Sequence, residues 1–387
     1  MQKTAKFLLT GATDPWLLEN VEYDYDTDQG LIYSTTATNA DPATVILPFM
    51  INAHTHLELS FLHNRLPRGL DFVPWLGKCI DIGMNTPFAR KKAAFTRALA
   101  SLWQTGTGVV VDINNDTSIY SNIDYPDQRF HIVRQNEILG FDPREASTLY
   151  AAAAAARGNM DYAITGHSAY AASGTLLQTI RQAEDGMLSI HCMEHNAEMD
   201  LFRTRSGPMV DYLRQRGYDL DGWQPGTRNI IQYLQDNAAI RSGDLLVHLV
   251  HAGNAEFTEI KDNHYIPVIC PRSNTFLNNG LPDLPGMLNA GLAPLLGTDS
   301  LASNDSLDIL DELIFALQQW PDVPGDAIFR MVTHNGQKVF SKKTTQLFFP
   351  LQTAMKMPFQ VLTFRKPVVD IWQSLRHDQI VKREIYA

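Results

Sequence analysis

The sequence predicts an α/β fold: a (β/α)8 TIM barrel with a small β-sandwich-like domain formed from both chain termini. Three observations predict it. From about residue 44, short β-branched runs alternate with longer helical patterns, as a parallel sheet with crossover helices requires. The runs number eight, which favours closure into a barrel over an open sheet. The two ends instead carry short alternating segments, such as ValGluTyrAspTyrAsp and GlnValLeuThrPhe, broken by Gly, Pro and Asp.

The elements follow in order. The first strand is the run ValIleLeuProPheMetIleAsnAla ending near Ala53, and the next are Gly108 to Ile113, Phe130 to Leu139 and Tyr162 to Gly166. Leu188 to Ile190, Leu245 to Leu249, Tyr265 to Cys270 and Leu292 to Gly297 complete the set. Between them lie helical patterns such as Pro87 to Thr105, opened by its proline, and Asp142 to Arg157, whose alanine run stops at Gly158. Residues 48–344 are expected to form the barrel, and 1–47 with 345–387 the composite β domain.

Composition narrows the partners. With 32 basic and 42 acidic residues the formal charge is −10, which repels phosphate backbones and anionic membrane surfaces, so neither nucleic acid nor a membrane is expected as a partner. The start, MetGlnLysThrAlaLysPheLeuLeuThrGly, is too briefly apolar for a signal peptide, and no run approaches a membrane span. Cys79, Cys192 and Cys270 are too scattered for a disulfide framework or a zinc knuckle, which makes a reducing cytoplasm the expected compartment.

In such a barrel, chemistry gathers where loops leave the carboxyl ends of the strands. After the first strand come His54 and His56, spaced so that both imidazoles leave one face of an extended segment. His191 follows the fifth strand with Glu194 three residues on, His248 the sixth, and Asp299 the eighth. A lone histidine in a barrel is more often a hydrogen-bonded structural residue. Several imidazoles and a carboxylate in this order instead form a set that zinc or iron(II) accepts, leaving a position for water. One divalent metal ion is therefore expected, zinc ahead of iron(II), and it would make water acidic enough to serve as hydroxide near neutral pH.

At these residues the chain resembles the amidohydrolase superfamily, in the branch of cytosine, adenosine-analogue and triazine deaminases and chlorohydrolases. HisThrHis at 54–56, HisCysMetGlu at 191–194 and LeuGlyThrAspSer at 296–300 carry the resemblance. The longer stretches AsnAlaHisThrHisLeuGluLeuSer, CysProArgSerAsn and LeuGlyThrAspSerLeuAlaSerAsn are similar to aminofutalosine deaminases. The resemblance implies His54, His56, His191 and Asp299 as metal ligands, His248 beside the metal-bound water, Glu194 as proton shuttle, and a homodimer. Asp299 and His248 would also hold the attacking oxygen. Two-metal members need a bridging carboxylated lysine after the fourth strand, and no lysine occurs between Lys92 and Lys261, so one metal is expected. Near the end, SerLysLysThrThrGlnLeuPhePheProLeuGlnThrAla departs from the Gly-rich segment usual in that branch, which puts the shape of the small β domain in question.

The implied reaction is hydrolytic deamination of a small-molecule heterocyclic substrate such as a purine-nucleoside analogue, with 6-amino-6-deoxyfutalosine as the named candidate. The same site could expel chloride or another leaving group or open a cyclic amide, and a barrel used only for binding is a third reading. Glu58, Trp75, Glu137, His167, Arg272 and Ser273 stand near strand ends and are candidates for substrate contact. Each has an equal alternative in packing, an internal ion pair or a loop anchor. Arg272 stands out because a guanidinium fork suits a carboxylate or a ring carbonyl.

Overall fold

A computed structural model of the chain describes residues 3–12, 14–120, 123, 125–221, 223–227, 229–377 and 379–387. The chain opens with β1 (Lys3–Leu9), β2 (Leu17–Asp26), β3 (Gly30–Ser34) and β4 (Thr44–Pro48). The parallel strands follow: β5 (Met50–Thr55), β6 (Thr107–Asn114), β7 (His131–Ile138), β8 (Ala163–Gly166), β9 (Ser189–Cys192), β10 (Leu245–His248), β11 (Ile266–Ile269) and β12 (Leu295–Leu296). It closes with β13 (Phe359–Phe364) and β14 (Ile380–Tyr386).

The eight central strands form the (β/α)8 barrel as two parallel arcs, β5-β6-β7-β8 and β9-β10-β11-β12. Hydrogen bonds bridge both gaps. The His191 amide donates to the His167 carbonyl at 2.9 Å, and the Asp299 amide donates to the His54 carbonyl at 3.0 Å. At the second seam Asn52 reinforces the closure, donating to Thr298 Oγ1 at 2.7 Å and accepting from the Thr298 amide at 3.1 Å. Gly297 permits this approach, since a Cβ there would lie 2.7 Å from the His54 Cβ.

The first expected strand, 45–53, divides into two. Thr44–Pro48 belongs to a terminal sheet of order β14-β13-β4-β1-β2-β3, while Met50–Thr55 opens the barrel. Pro48 lacks an N–H and ends its ladder, and the buried Phe49 marks the crossing from one sheet to the other. β4 thus joins strands from both chain ends, pairing parallel with β1 and antiparallel with β13. Buried Gln360 fastens this sheet to the barrel: its amide donates to the Pro48 carbonyl at 3.0 Å and to the Gly106 carbonyl, just before β6, at 3.5 Å.

Outer helices form where one apolar stripe faces the strands. Helix Phe88–Gln104 buries Ala94, Phe95, Ala98, Leu99 and Leu102, the spacing of one helical face, and starts after Pro87 as its N-cap. The expected helix 142–157 begins as a 3-10 turn, Pro143–Glu145, before the α-helix Ala146–Arg157, with Asp142 capping the turn by accepting from the Arg144 amide. Among the described residues, no helix is long and apolar enough to cross a membrane.

Candidate active site

The carboxyl ends of β5, β9, β10 and β12 bring His54, His56, His191, His248 and Asp299 into one cluster. The ligand atoms of His54, His191 and His248 lie within 4.8 Å of one another, as do those of His54, His56 and Asp299. Several of the residues beside these ends are left-handed: Met193 has φ +54°, His248 +79°, Leu249 +53° and Asp299 +57°. Such conformations persist only where surrounding contacts over-determine them; His248 and Asp299 line the cavity over the barrel mouth, while Met193 and Leu249 pack into the core.

Hydrogen bonds settle which ring nitrogen faces the centre. His191 donates its Nδ1–H to the His167 carbonyl at 2.9 Å, which leaves Nε2 bearing a lone pair. His248 likewise donates Nδ1–H to Asn274 Oδ1 at 3.0 Å. The Nε2 atoms of His56 and His191 converge to 3.2 Å. Two nitrogens at about 2.0–2.1 Å from one tetrahedral ion would stand roughly 3.3 Å apart, so the pair fits a shared metal. Both nitrogens of His54 and Nδ1 of His56 are buried without a hydrogen-bond partner, a costly state that a cation would relieve at the centre. Asp299 turns Oδ1 toward the cluster, 3.8 Å from His54 Nε2 and 3.7 Å from His56 Nε2. Its Oδ2 accepts from Ser273 Oγ at 2.6 Å and Ser303 Oγ at 3.0 Å.

The electrostatics agree with a ligand set. Burial holds the His54 and His167 imidazoles far below the usual histidine range, draws His56 down to about 3 and His248 to about 4, and lowers His191 as well. All are neutral at physiological pH and can donate lone pairs. Burial opposes ionisation of Asp299, but His56, His248 and the Ser273 hydroxyl outweigh it and hold that carboxyl below its ordinary value.

A cavity of about 550 Å³ opens over the cluster. Phe72, Trp75, Leu76 and Ile80 from helix Phe72–Met84 wall one side, and Met209, Tyr212 and Leu213 from helix Pro208–Gln215 another. Glu194 enters at the metal end, with Oε1 3.7 Å from His248 Nε2 and 3.5 Å from Asn279 Nδ2. Burial, then Asp299 and Glu198, push the Glu194 carboxyl well above the usual carboxylate range.

The other expected contacts divide. Glu58, Trp75, Glu137 and His167 line the cavity. Glu58 accepts from the amides of Asn115 at 2.8 Å and Asp116 at 3.0 Å, and Trp75 donates Nε1–H to the Ala302 carbonyl at 3.1 Å. Glu137 accepts from Asn115 Nδ2 at 2.8 Å, while its Oε2 and His167 Nδ1 are buried without partners. Arg272 and Ser273 are not in the cavity wall. The Arg272 guanidinium faces Asp305 at 3.8 Å and Asp311 at 3.7 Å, and its amide donates to Glu312 Oε1 at 2.9 Å, which ties it to carboxylates of the same chain. Ser273 serves Asp299 instead. Sequence reasoning also passed over Asn274, Ser303, Asn279 and Asn115. Asn274 and Ser303 do fall inside CysProArgSerAsn and LeuGlyThrAspSerLeuAlaSerAsn, which was the available signal.

A parallel α/β barrel with four imidazoles and a carboxylate at its mouth defines the class: a metal-dependent hydrolase. The family model described as Amidohydrolase family matches residues 45–345, and the chain belongs to that family. It is similar to the aminodeoxyfutalosine deaminase of Deinococcus radiodurans, 27% identical over 324 residues that span 78% of this chain and 74% of the relative. Among solved structures it is similar to Helicobacter pylori aminofutalosine deaminase in complex with methylthio-coformycin, at 21% identity and a TM-score of 0.73, covering 97% of this chain and 94% of that one. It is also similar to a Xanthomonas campestris adenosine deaminase with bound zinc, at 17% identity and a TM-score of 0.72, covering 99% of this chain and 90% of that one.

Proposed function

We propose that this chain is a mononuclear zinc aminohydrolase that deaminates a 6-aminopurine nucleoside, with 6-amino-6-deoxyfutalosine as the leading candidate. The observation that carries the reading is the placement of Glu194. Its carboxyl sits 3.7 Å from His248 Nε2, at the point where the cavity meets the histidine–aspartate cluster. The names of the relatives support the substrate class, and the zinc of the Xanthomonas campestris protein supports the metal.

His54, His56, His191 and Asp299 would hold the ion. When bound, the ion supplies positive charge that acidifies water and draws nearby carboxyls toward their ionised form. Glu194 takes a proton from the attacking water and passes it to a ring nitrogen as the oxygen adds to the amine-bearing carbon. The hydroxyl of the adduct then gives up the second proton of the water, which Glu194 carries to the amine, so that the C–N bond breaks, the C=O forms and ammonia leaves. His248 holds the attacking oxygen through Nε2, because Asn274 already occupies Nδ1. Asp299 orients the same oxygen with Oδ1, its other oxygen being fixed by two serines. Glu137 and His167, which line the cavity and each have a buried atom without a hydrogen-bond partner, take up polar groups on the substrate, and Phe72, Trp75, Leu76 and Ile80 exclude water around the ring. Residues 48–344 carry this chemistry, and 1–47 with 345–387 form the small β domain beside it.

Turnover of 6-aminopurine nucleosides by the zinc-loaded protein in heavy-oxygen water tests the reading. The 6-oxo product should carry the label, with one ammonia released per product. Product without the label, or no ammonia from any nucleoside, would overturn it.

A further inference from the structure

We propose that Glu198 is a positioning residue for Glu194, holding the turn between β9 and helix Asn196–Arg203 in the conformation that aims the Glu194 carboxyl at His248. The inference rests on the reading of Glu194 as the group that moves protons. The turn starts at Met193, whose φ of +54° is a left-handed conformation that a residue other than glycine holds only under constraint. Two reciprocal bonds supply that constraint. The Glu198 amide donates to His195 Nδ1 at 3.1 Å, and the Glu194 amide donates back to Glu198 Oε2 at 2.9 Å. The pattern is a capping box reaching one residue further back, so that it grips the backbone of Glu194 itself.

The position is an expensive one for a carboxyl. Glu198 is 0% exposed, and a helix start can be capped from the surface by Ser or Asp without burying a glutamate. His195 extends the brace: its ring stacks on Phe72 at 3.8 Å between centroids, and Phe72 forms part of the cavity wall. Glu198 and His195 therefore join the Glu194 turn to the wall against which a substrate would lie. A plain helix cap would need neither link.

Reach and acidity can be separated by substitution. Glu198→Gln keeps an oxygen at the same distance without the acidic group, and Glu198→Asp keeps the carboxyl but withdraws it by one methylene. On ammonia release, Glu198→Gln should retain kcat within about threefold. Glu198→Asp should lose about tenfold or more in kcat, with KM within about twofold and metal content unchanged, because a displaced shuttle affects turnover rather than binding. In a Glu194→Gln background the same Asp substitution should cost less than about twofold, since the residue acts through Glu194. An active Glu198→Asp, an equal loss in the Glu194→Gln background, or a loss that follows metal content would overturn the proposal. If Glu198→Asp does not fold, a loss of more than about tenfold in folded Glu198→Gln would overturn it too. Should the wild type release no ammonia from any nucleoside, the functional reading fails separately, and crystal structures of the two variants decide this one. The 3.7 Å separation of Glu194 Oε1 from His248 Nε2 should persist in Gln and be lost in Asp; the same separation in both would overturn it.

Discussion

At the scale of single residues, the site is organised by the bonds its histidines and aspartate make away from the centre. His167 and Asn274 fix the tautomers of His191 and His248, and Ser273 with Ser303 fixes one oxygen of Asp299 so that the other faces the cluster. Partners of this kind commonly set metal affinity within a factor of about 10–100. Ser273→Ala should therefore weaken zinc binding by about tenfold or more, measured by competition with a chelator. Unchanged affinity would show that Ser303 alone orients Asp299. The clustered histidines and Asp299 were legible in the sequence because they follow strand ends, which meet at the barrel mouth. Their partners were less so, because a serine or asparagine acquires its role from a loop that returns from elsewhere in the chain. Arg272 illustrates the converse. Its fork suits an anion, and the anions it meets are Asp305 and Asp311 of the same chain, which no local pattern announces.

At the scale of elements, each expected barrel strand has its counterpart, and the differences lie at the ends. The segment expected over 292–297 keeps only Leu295–Leu296 as strand. Pro294 cannot donate to a ladder, and Gly297 is drawn against His54 at the barrel seam. Hydrophobic periodicity reports burial and not hydrogen bonding, so the continuous run 45–53 gave no sign that it serves two sheets. The break at Pro48 was the one local clue. The left-handed residues at the ends of β9, β10 and β12 were equally silent, since Met193, His248, Leu249 and Asp299 have no intrinsic preference strong enough to forecast a positive φ. These ends are where strand geometry yields to the needs of the site.

At the scale of the whole molecule, burial of so many ionisable groups links stability to pH. Burial raises Glu58 to about 7 and Asp112, Glu198 and Glu312 each to about 8. Between their ordinary values and these raised ones, the folded chain holds protons that the unfolded chain has released, so stability falls as pH rises through that window. The buried imidazoles act in the opposite sense. His56 at about 3 and His248 at about 4 stay neutral when folded but are protonated when unfolded below about 6.5, so stability falls as pH drops below that value. Above 6.5, the ordinary histidine value, the carboxyls alone remain in play. The thermal midpoint of chelator-treated protein should therefore decline from about pH 6.5 to about pH 8. A rise over that interval would mean that these carboxyls are ionised in the folded state.

The central claim is that Glu194 moves protons beside a metal held by the neighbouring histidines and Asp299. Its most direct test is ammonia release by zinc-loaded wild type and Glu194→Gln, with metal content determined on the same samples. The account predicts equal metal in both and a fall of at least about a hundredfold in kcat for the variant. Equal turnover in the two proteins, or a loss explained by missing metal, would contradict it.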